Sequence, residues 1–291
     1  MTAADAGRPG SGDGGTTGTT LGILAGGGPL PGAVADAALR AGRAVFVVAF
    51  QDFADPAVVG RYPHEVIRLA AAGRVLAALR ERNCSELVLI GPVRRPGLRD
   101  LRPDAEGARI LARIGRALFA GDDGLLAALV RVLGEEGFRV RGAHEFLPDS
   151  VGRAGKLGRH EPDAGALADI RRGVAVVRAL GELDVGQGCV VQDGLVLAVE
   201  ALEGTDRMLE RAGILRQPGA GGVLVKLVKP GQDRRADLPT VGPRTVAAAA
   251  AAGLRGIAFE AGGTLLTSPE RIRDAADRHN LFVVGIDPAA V

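Results

Sequence analysis

Between residues 21 and 149, short apolar runs alternate with longer stretches in which apolar residues recur every three or four positions. Short runs suit strands buried on both faces and the longer periodicity suits amphipathic helices, so this order predicts βα units on a parallel sheet. Strands are expected at 21–25, 44–50 and 86–90, with helices at 31–41, 70–82 and 106–119. Gly121 breaks the pattern. Asp122 and Asp123 then precede Leu125, Leu126, Leu129, Val130 and Leu133, so one of the two is expected to cap an amphipathic helix ending near Gly137.

The segment 150–164 is rich in Gly and Arg, shows no period and reads as a linker. Beyond it a helix at 166–180 leads to two apolar runs, 189–192 and 195–199, separated by Asp193-Gly194, a strong hairpin signal. A helix at 205–212, a strand at 222–228 and a polar loop to Gly242 follow. A helix at 243–252, a strand at 256–260, a helix at 269–279 and a strand at 282–286 complete the chain. The predicted class is α/β with two unlike domains: a Rossmann-like parallel sheet over 21–149 and a mixed α/β domain over 165–291.

Composition narrows the function. A chain of 291 residues that is 47% hydrophobic and 24% charged is long enough for two packed cores. Its 36 basic and 34 acidic side chains leave a net charge of +2, without the electrostatic footprint of a nucleic-acid binder. Cys84 and Cys189 have no zinc-ligand neighbours and form no disulfide framework. Residues 1–20 lack a basic and an apolar region and read as a flexible tail, which gives a cytoplasmic expectation. No apolar run approaches the roughly 20 residues of a membrane span, so any membrane contact is expected to be peripheral. Among His64, His144, His160 and His279 no metal-binding spacing occurs, and structural or surface roles are expected.

The basic residues are almost all arginine, and the lysines are Lys156, Lys226 and Lys229. A lysine retained in such a chain suggests a need for a compact ammonium in place of a planar fork. Lys226 lies inside the apolar run GGVLVKLV and Lys229 at its exit, before Pro230. Positions three apart on a regular strand face opposite sides, so a bend near Pro230 is required to aim both at one ligand. Glu200 ends another apolar run, and a buried strand-end carboxylate needs a partner that these lysines can supply. Thr205 and Asp206 follow at a strand-to-helix junction, where capping competes with a role toward a cation or a sugar hydroxyl. The polar loop that ends in Arg244 carries Gln232, Asp233, Arg234, Arg235, Asp237 and Thr240. Phosphoanhydride hydrolysis needs cations for the phosphoryl oxygens, a hard metal such as magnesium, and a carboxylate to position water. The loop supplies every part except the metal, and local reasoning does not choose between Asp233 and Asp237.

Two N-terminal turns are further candidates. Gly26, Gly27 and Gly28 fall where the first strand turns into a helix, so their amides are candidates to cradle a phosphate. The offsets do not spell a dinucleotide fingerprint, and a tight turn without ligand is the competing reading. Arg94 and Arg95 follow the strand at 86–90, at the sheet edge where open α/β folds bind ligands. A nucleotide-binding protein without hydrolase activity, built on the glycine turn, is the alternative function.

The segments LGILAGGGPLP, GDDGLL, GAHEFLP, LDVGQG, VLAVEALEGTD, VLVKLVKPGQDRRADLPT, GLRGIAFEAG and LFVVGID together resemble the UDP-2,3-diacylglucosamine pyrophosphatases of the LpxI type. The resemblance covers nearly the whole chain past residue 20. It implies release of UMP and 2,3-diacylglucosamine 1-phosphate in lipid A synthesis, two unlike α/β domains with the substrate between them, and a magnesium requirement. It also implies that Asp237, in the DLPT motif, is the catalytic aspartate. Asp237, Glu200 and Asp206 become the expected metal ligands. Asp122, Asp123, Gln187, Lys226, Lys229, Gln232 and Arg244 join the candidates for substrate contact, with Glu200, Thr205 and Asp206. The acylated substrate further implies an apolar chamber and contact with the cytoplasmic face of the inner membrane. A homodimer is among the expected states of assembly, with no residue assigned to its interface.

Overall fold

The computed structural model of the protein describes residues 19–94, 103–115, 117 and 122–291, with Asp122 described through its backbone alone. The first half runs β1 (Thr20–Ala25), α1 (Leu30–Arg40), β2 (Val45–Phe50), α2 (Pro56–Val59), β3 (His64–Ile67), α3 (Ala72–Glu81) and β4 (Cys84–Ile90). It continues through α4 (Ala105–Ile114), α5 (Asp122–Glu135), β5 (Arg139–Arg141) and α6 (Ala143–Phe146). Its five strands form one parallel sheet in the order β3-β2-β1-β4-β5. Alternation along β1 explains why the sheet is covered on both faces. Leu21, Ile23 and Ala25 join a core with Val34, Ala35 and Ala38 of α1. Leu24, between them, enters the opposite core with Leu76 and Leu79 of α3.

The second half runs β6 (Gly155–Lys156), α7 (Ala164–Glu182), β7 (Gly188–Gln192), β8 (Leu195–Val199), α8 (Gly204–Leu215) and β9 (Val223–Lys226). It ends through β10 (Thr240–Val241), α9 (Pro243–Ala251), β11 (Gly256–Glu260), β12 (Leu265–Leu266), α10 (Pro269–Arg278) and β13 (Phe282–Ile286). A six-stranded sheet has the order β6-β13-β11-β9-β7-β8. Its centre, β13, β11 and β9, is parallel, while β7, β8 and β6 run antiparallel to their neighbours. On β9, Val223 and Val225 face α7, and Leu224 enters the core shared by α8, α9 and α10. The same alternation puts Lys226 on the α8 side.

The polar loop between β9 and α9 reaches into three cores. Ala236 packs against the α3 face of the N-terminal sheet, Leu238 is buried in its α1 face, and Val241 is buried in the core of α8 and α9. β10 closes this path by pairing with β12, whose Leu265 also lies in the α1-face core and bridges Val151. The two sheets are thereby stitched together across the loop.

The expected α/β class and the long elements are present, and the departures have local causes. Part of the segment expected as a linker, Gly155–Lys156, is an edge strand. Thr20 is the first residue of β1 and pairs with Cys84, so the expected tail cannot include it, and residues 1–18 lie outside the described set. The helix expected to reach residue 119 ends at Ile114, where Gly115 turns at φ 54°. β3 and β5 escape an apolar-run search because His64, Glu65, Arg139 and Arg141 make up more than half of their short length with polar side chains. Among the described residues no helix is long and apolar enough to cross a membrane.

The Asp193-Gly194 turn joins β7 and β8 as expected, held by the Asp169 carboxylate of α7, which accepts from Asp193 N at 3.2 Å and Gly194 N at 2.8 Å. Asp169 is 1% exposed and also accepts from Arg255 Nη2 at 2.9 Å. Asp169→Ala would leave these donors short of an acceptor, and breaking a buried pair costs about 3 kcal/mol. We expect a loss of that size in urea unfolding, with Asp169→Asn losing less; an unchanged midpoint for the alanine variant would contradict this role.

Candidate active site

The site is built outward from the end of β9. Lys226 is registered between Gly188 of β7 and Phe259 of β11, and its side chain is only 5% exposed. Its ammonium donates to Thr205 Oγ1 at 2.5 Å, that hydroxyl donates to Glu200 Oε1 at 2.6 Å, and Glu200 Oε2 lies 3.5 Å from Lys226 Nζ. The partner required by the apolar strand end is therefore Lys226. Thr205 is not the helix cap, since α8 starts from Glu203 without a side-chain cap bond. Its hydroxyl is spent between the lysine and the glutamate.

After Lys226 the chain leaves the strand. Leu227 N donates to Gln187 O at 3.0 Å and Val228 N to Glu260 Oε2 at 3.0 Å, and these bonds define the bend. Lys229 lies against the end of α7 while Lys226 faces α8, and the charges of both act on the Asp237 carboxyl. Lys229 Nζ lies 2.6 Å from Asp184 Oδ1, in the turn after α7, and 2.8 Å from Asp123 Oδ1, in the first turn of α5. Burial alone would lower the pKa of this ammonium, but the two carboxylates outweigh it and hold the value above that of an ordinary lysine. Asp123 thus reaches across the seam between the halves, beyond the capping role expected of the Asp122 and Asp123 pair.

Asp237 sits where the loop crosses that seam. Ala236 and Leu238, on either side, are anchored in opposite faces of the N-terminal sheet, so the carboxyl has nowhere to turn but inward. The residue as a whole is half-buried, yet its carboxyl is enclosed. Gln232 Nε2 donates to Asp237 Oδ2 at 2.9 Å, while Gln232 Oε1 accepts from Lys229 N at 3.1 Å. Desolvation raises the carboxyl pKa, and Asp123 adds to the rise; Lys226, Lys229 and the Leu238 amide oppose it without cancelling it.

The two aspartates left open by the local sequence pattern differ in their contacts. Asp233 is tied to Arg235 through two side-chain bonds, of 2.9 and 2.7 Å, which hold its pKa below the usual range. Asp237, Lys226, Lys229, Gln232, Glu200, Thr205 and Asp123 come together. Gln187 joins them through its backbone carbonyl, and its side-chain Oε1 is buried without a protein partner among the described residues. Asp206 and Arg244 do not join. They pair with each other at 3.1 Å on the surface, with the arginine side chain 92% exposed.

The glycine turn has its own explanation. Gly26 N and Gly27 N donate to Ile90 O and Pro92 O at 2.9 and 3.0 Å, and a Cβ on Gly26 would lie 2.4 Å from Gly91 O. Two of the three amides expected to cradle a phosphate are thus committed to the turn after β4. The glycines permit this backbone approach. Arg94 is exposed on that same turn, and Arg95 lies outside the described residues.

The expected metal set also changes. Glu200 is engaged by Thr205 and Lys226, and Asp206 by Arg244 at the surface. Among the described residues no group of three or more His, Cys, Asp or Glu side chains is arranged to hold a metal ion. Magnesium, however, is usually held by one or two carboxylates together with substrate phosphate. Asp123 is the carboxylate whose charge acts on Asp237 from across the seam, which makes these two the candidates for that lesser requirement.

Sequence reasoning missed Asp184 and Glu260. An aspartate in a turn after a helix reads first as turn chemistry, and nothing in the pattern links Asp184 to Lys229. Glu260 was findable, because it ends an apolar strand as Glu200 does.

Comparison with known proteins follows the same division of the chain. Residues 20–150 match the LpxI N-terminal domain model and residues 153–284 the LpxI C-terminal domain model. The UDP-2,3-diacylglucosamine pyrophosphatase LpxI of Caulobacter vibrioides is 43% identical over 274 residues, covering 92% of this chain and 98% of that protein.

A carboxyl whose pKa is raised by folding binds protons more tightly in the folded state, so stability falls as pH rises through the window above the ordinary value of about 3.9. Asp237→Asn removes that cost. In metal-free buffer the variant should unfold at higher urea than the parent at pH 8, with the gain shrinking toward zero near pH 4; a less stable variant at pH 8 would contradict the direction of the shift.

Proposed function

The chain belongs to the LpxI family, and on that premise we propose that it hydrolyses the pyrophosphate of UDP-2,3-diacylglucosamine at the cluster around Asp237. The products are UMP and 2,3-diacylglucosamine 1-phosphate, the lipid-linked sugar phosphate used in lipid A synthesis. The observation that carries the reading is the enclosed Asp237 carboxyl, bonded to Gln232 and lying in the fields of Lys226 and Lys229 where the halves meet.

Each part has a chemical task. Lys226 and Lys229 bind the phosphoryl oxygens, where the attack develops negative charge in a site shielded from water. Gln232 orients Asp237 through its amide while fixing the Lys229 backbone through its carbonyl, so the base and one cation share a single rigid support. Asp237 accepts a hydrogen bond from the attacking water and takes its proton. Its raised pKa makes it a better base than an exposed aspartate. Asp237 and Asp123 would hold a magnesium ion, which when bound neutralises the pyrophosphate. Thr205 and Glu200 keep the Lys226 ammonium in place. The Gln187 side-chain oxygen is the remaining acceptor for a sugar or base donor. Because the substrate is acylated, the enzyme works in peripheral contact with the inner-membrane surface.

The committed amides of the glycine turn favour this reading over a nucleotide-binding protein centred there. Asp237→Ala should fold and retain substrate binding but release UMP at least about 100-fold more slowly; near-normal turnover would remove Asp237 from the chemistry. EDTA should abolish turnover, and added magnesium should restore it. Turnover that persists in EDTA would remove the metal. Hydrolysis in oxygen-18 water, with both products weighed, identifies the phosphorus attacked.

A further inference from the structure

Lys229 has a second carboxylate that its own neutralisation does not require. Asp123 already pairs with it at 2.8 Å, yet Asp184 lies closer, at 2.6 Å, giving two negative charges for one positive in a place where the ammonium is 8% exposed. Excess buried charge is costly. The two carboxylates also differ in origin. Asp123 comes from α5 of the N-terminal half, across the seam, whereas Asp184 comes from the turn that ends α7, in the same half as Lys229.

That turn grips the lysine at two levels. At the backbone, Gly181 is closed on by the segment it supports, since a Cβ there would lie 2.8 Å from Pro230 Cδ and 3.3 Å from Lys229 Cα. At the side chain, Asp184 Oδ1 accepts from Nζ. Asp184 itself is fixed in a left-handed conformation at φ 52°, with its amide bonded to Gly181 O at 3.0 Å. The end of α7, Lys229 and Pro230 are therefore packed as one unit within the C-terminal half.

We propose that Asp184 is a positioning residue for the hydrolysis, holding the Lys229 ammonium in the seam so that a phosphoryl oxygen of the substrate can take the place of Asp123 on it. Nζ has three N–H donors. Asp184 keeps one, and the one now shared with Asp123 passes to the incoming oxygen. Without Asp184 the ion pair left to the ammonium among the described residues is the one to Asp123, on the far side of the seam, and entry of an anion there competes with the contact that places the cation. This inference rests on the hydrolase reading.

Asp184→Asn is the test, because asparagine tolerates the left-handed backbone and removes only the charge. Misplacing a catalytic cation by about 1 Å costs on the order of 100-fold in rate. We expect kcat for UMP release to fall about 10- to 100-fold with KM within about twofold, and Asp184→Glu to recover part of the rate. In a Lys229→Ala background, Asp184→Asn should add less than about a twofold further loss, the mark of a residue that acts through Lys229. Asp184→Gly, which suits the same backbone, should repeat the loss if the asparagine variant does not fold. A full rate in Asp184→Asn, a change confined to KM, or equal losses with and without Lys229 would each overturn the inference. If the parent protein releases no UMP, the hydrolase reading falls and takes this inference with it; a parent that does, beside an unaffected Asp184→Asn, overturns this inference alone.

Discussion

An enclosed carboxyl group in the field of two lysines can exist only where the chain supplies both the enclosure and the charges, and in this protein the two come from different places. Enclosure comes from Ala236 and Leu238, which anchor the DLPT loop in opposite faces of the N-terminal sheet. The positive charges come from β9 and its exit, in the C-terminal sheet. Asp237 is the point where these demands meet. An aspartate so enclosed resists ionisation, and the fields of Lys226 and Lys229 moderate that resistance without removing it.

The rest of the site follows from keeping the two ammonium groups in place within an apolar sheet. Each is treated differently. Lys226 is held inside its own half, through Thr205 and Glu200, and its contacts do not cross the seam. Lys229 is shared between Asp184 on its own side and Asp123 on the other. One lysine is thus a fixed element, and the other a link between the halves. Gln232 couples that link to Asp237, so a displacement of Lys229 is felt at the carboxyl. A single loop of about a dozen residues thereby carries the chemistry, the seam and part of three hydrophobic cores.

Much of this was legible because periodicity and local chemistry agreed. The apolar runs marked β1, β2, β4, β9, β11 and β13, and Asp193-Gly194 marked the hairpin. Glu200 and Lys226 announced each other as charges stranded in apolar runs, and they meet. The same logic does not extend to Asp206 and Arg244, which were assigned by their nearness in sequence to those residues. Both have ready access to water, so they pair with each other at the surface. The glycine turn misled for a related reason: close approach of two backbones and cradling of a phosphate both call for glycine, and only the position of Gly91 and Pro92 tells them apart.

By itself, the sequence determined what can be decided within one element or one turn: the α/β class, the strands buried on both faces, the hairpin at Asp193-Gly194, and the family to which the ordered motifs belong. Only the tertiary structure decided which charges share a site. Asp123, Asp184 and Lys229 lie far apart along the chain and their pairing has no period or spacing, since it depends on how α5, the end of α7 and the exit of β9 are brought together. Hydrophobic patterning specifies which face of an element is buried. Which buried face meets which is settled by the packing of whole sheets, and the ion pairs at their seam are a consequence of that packing.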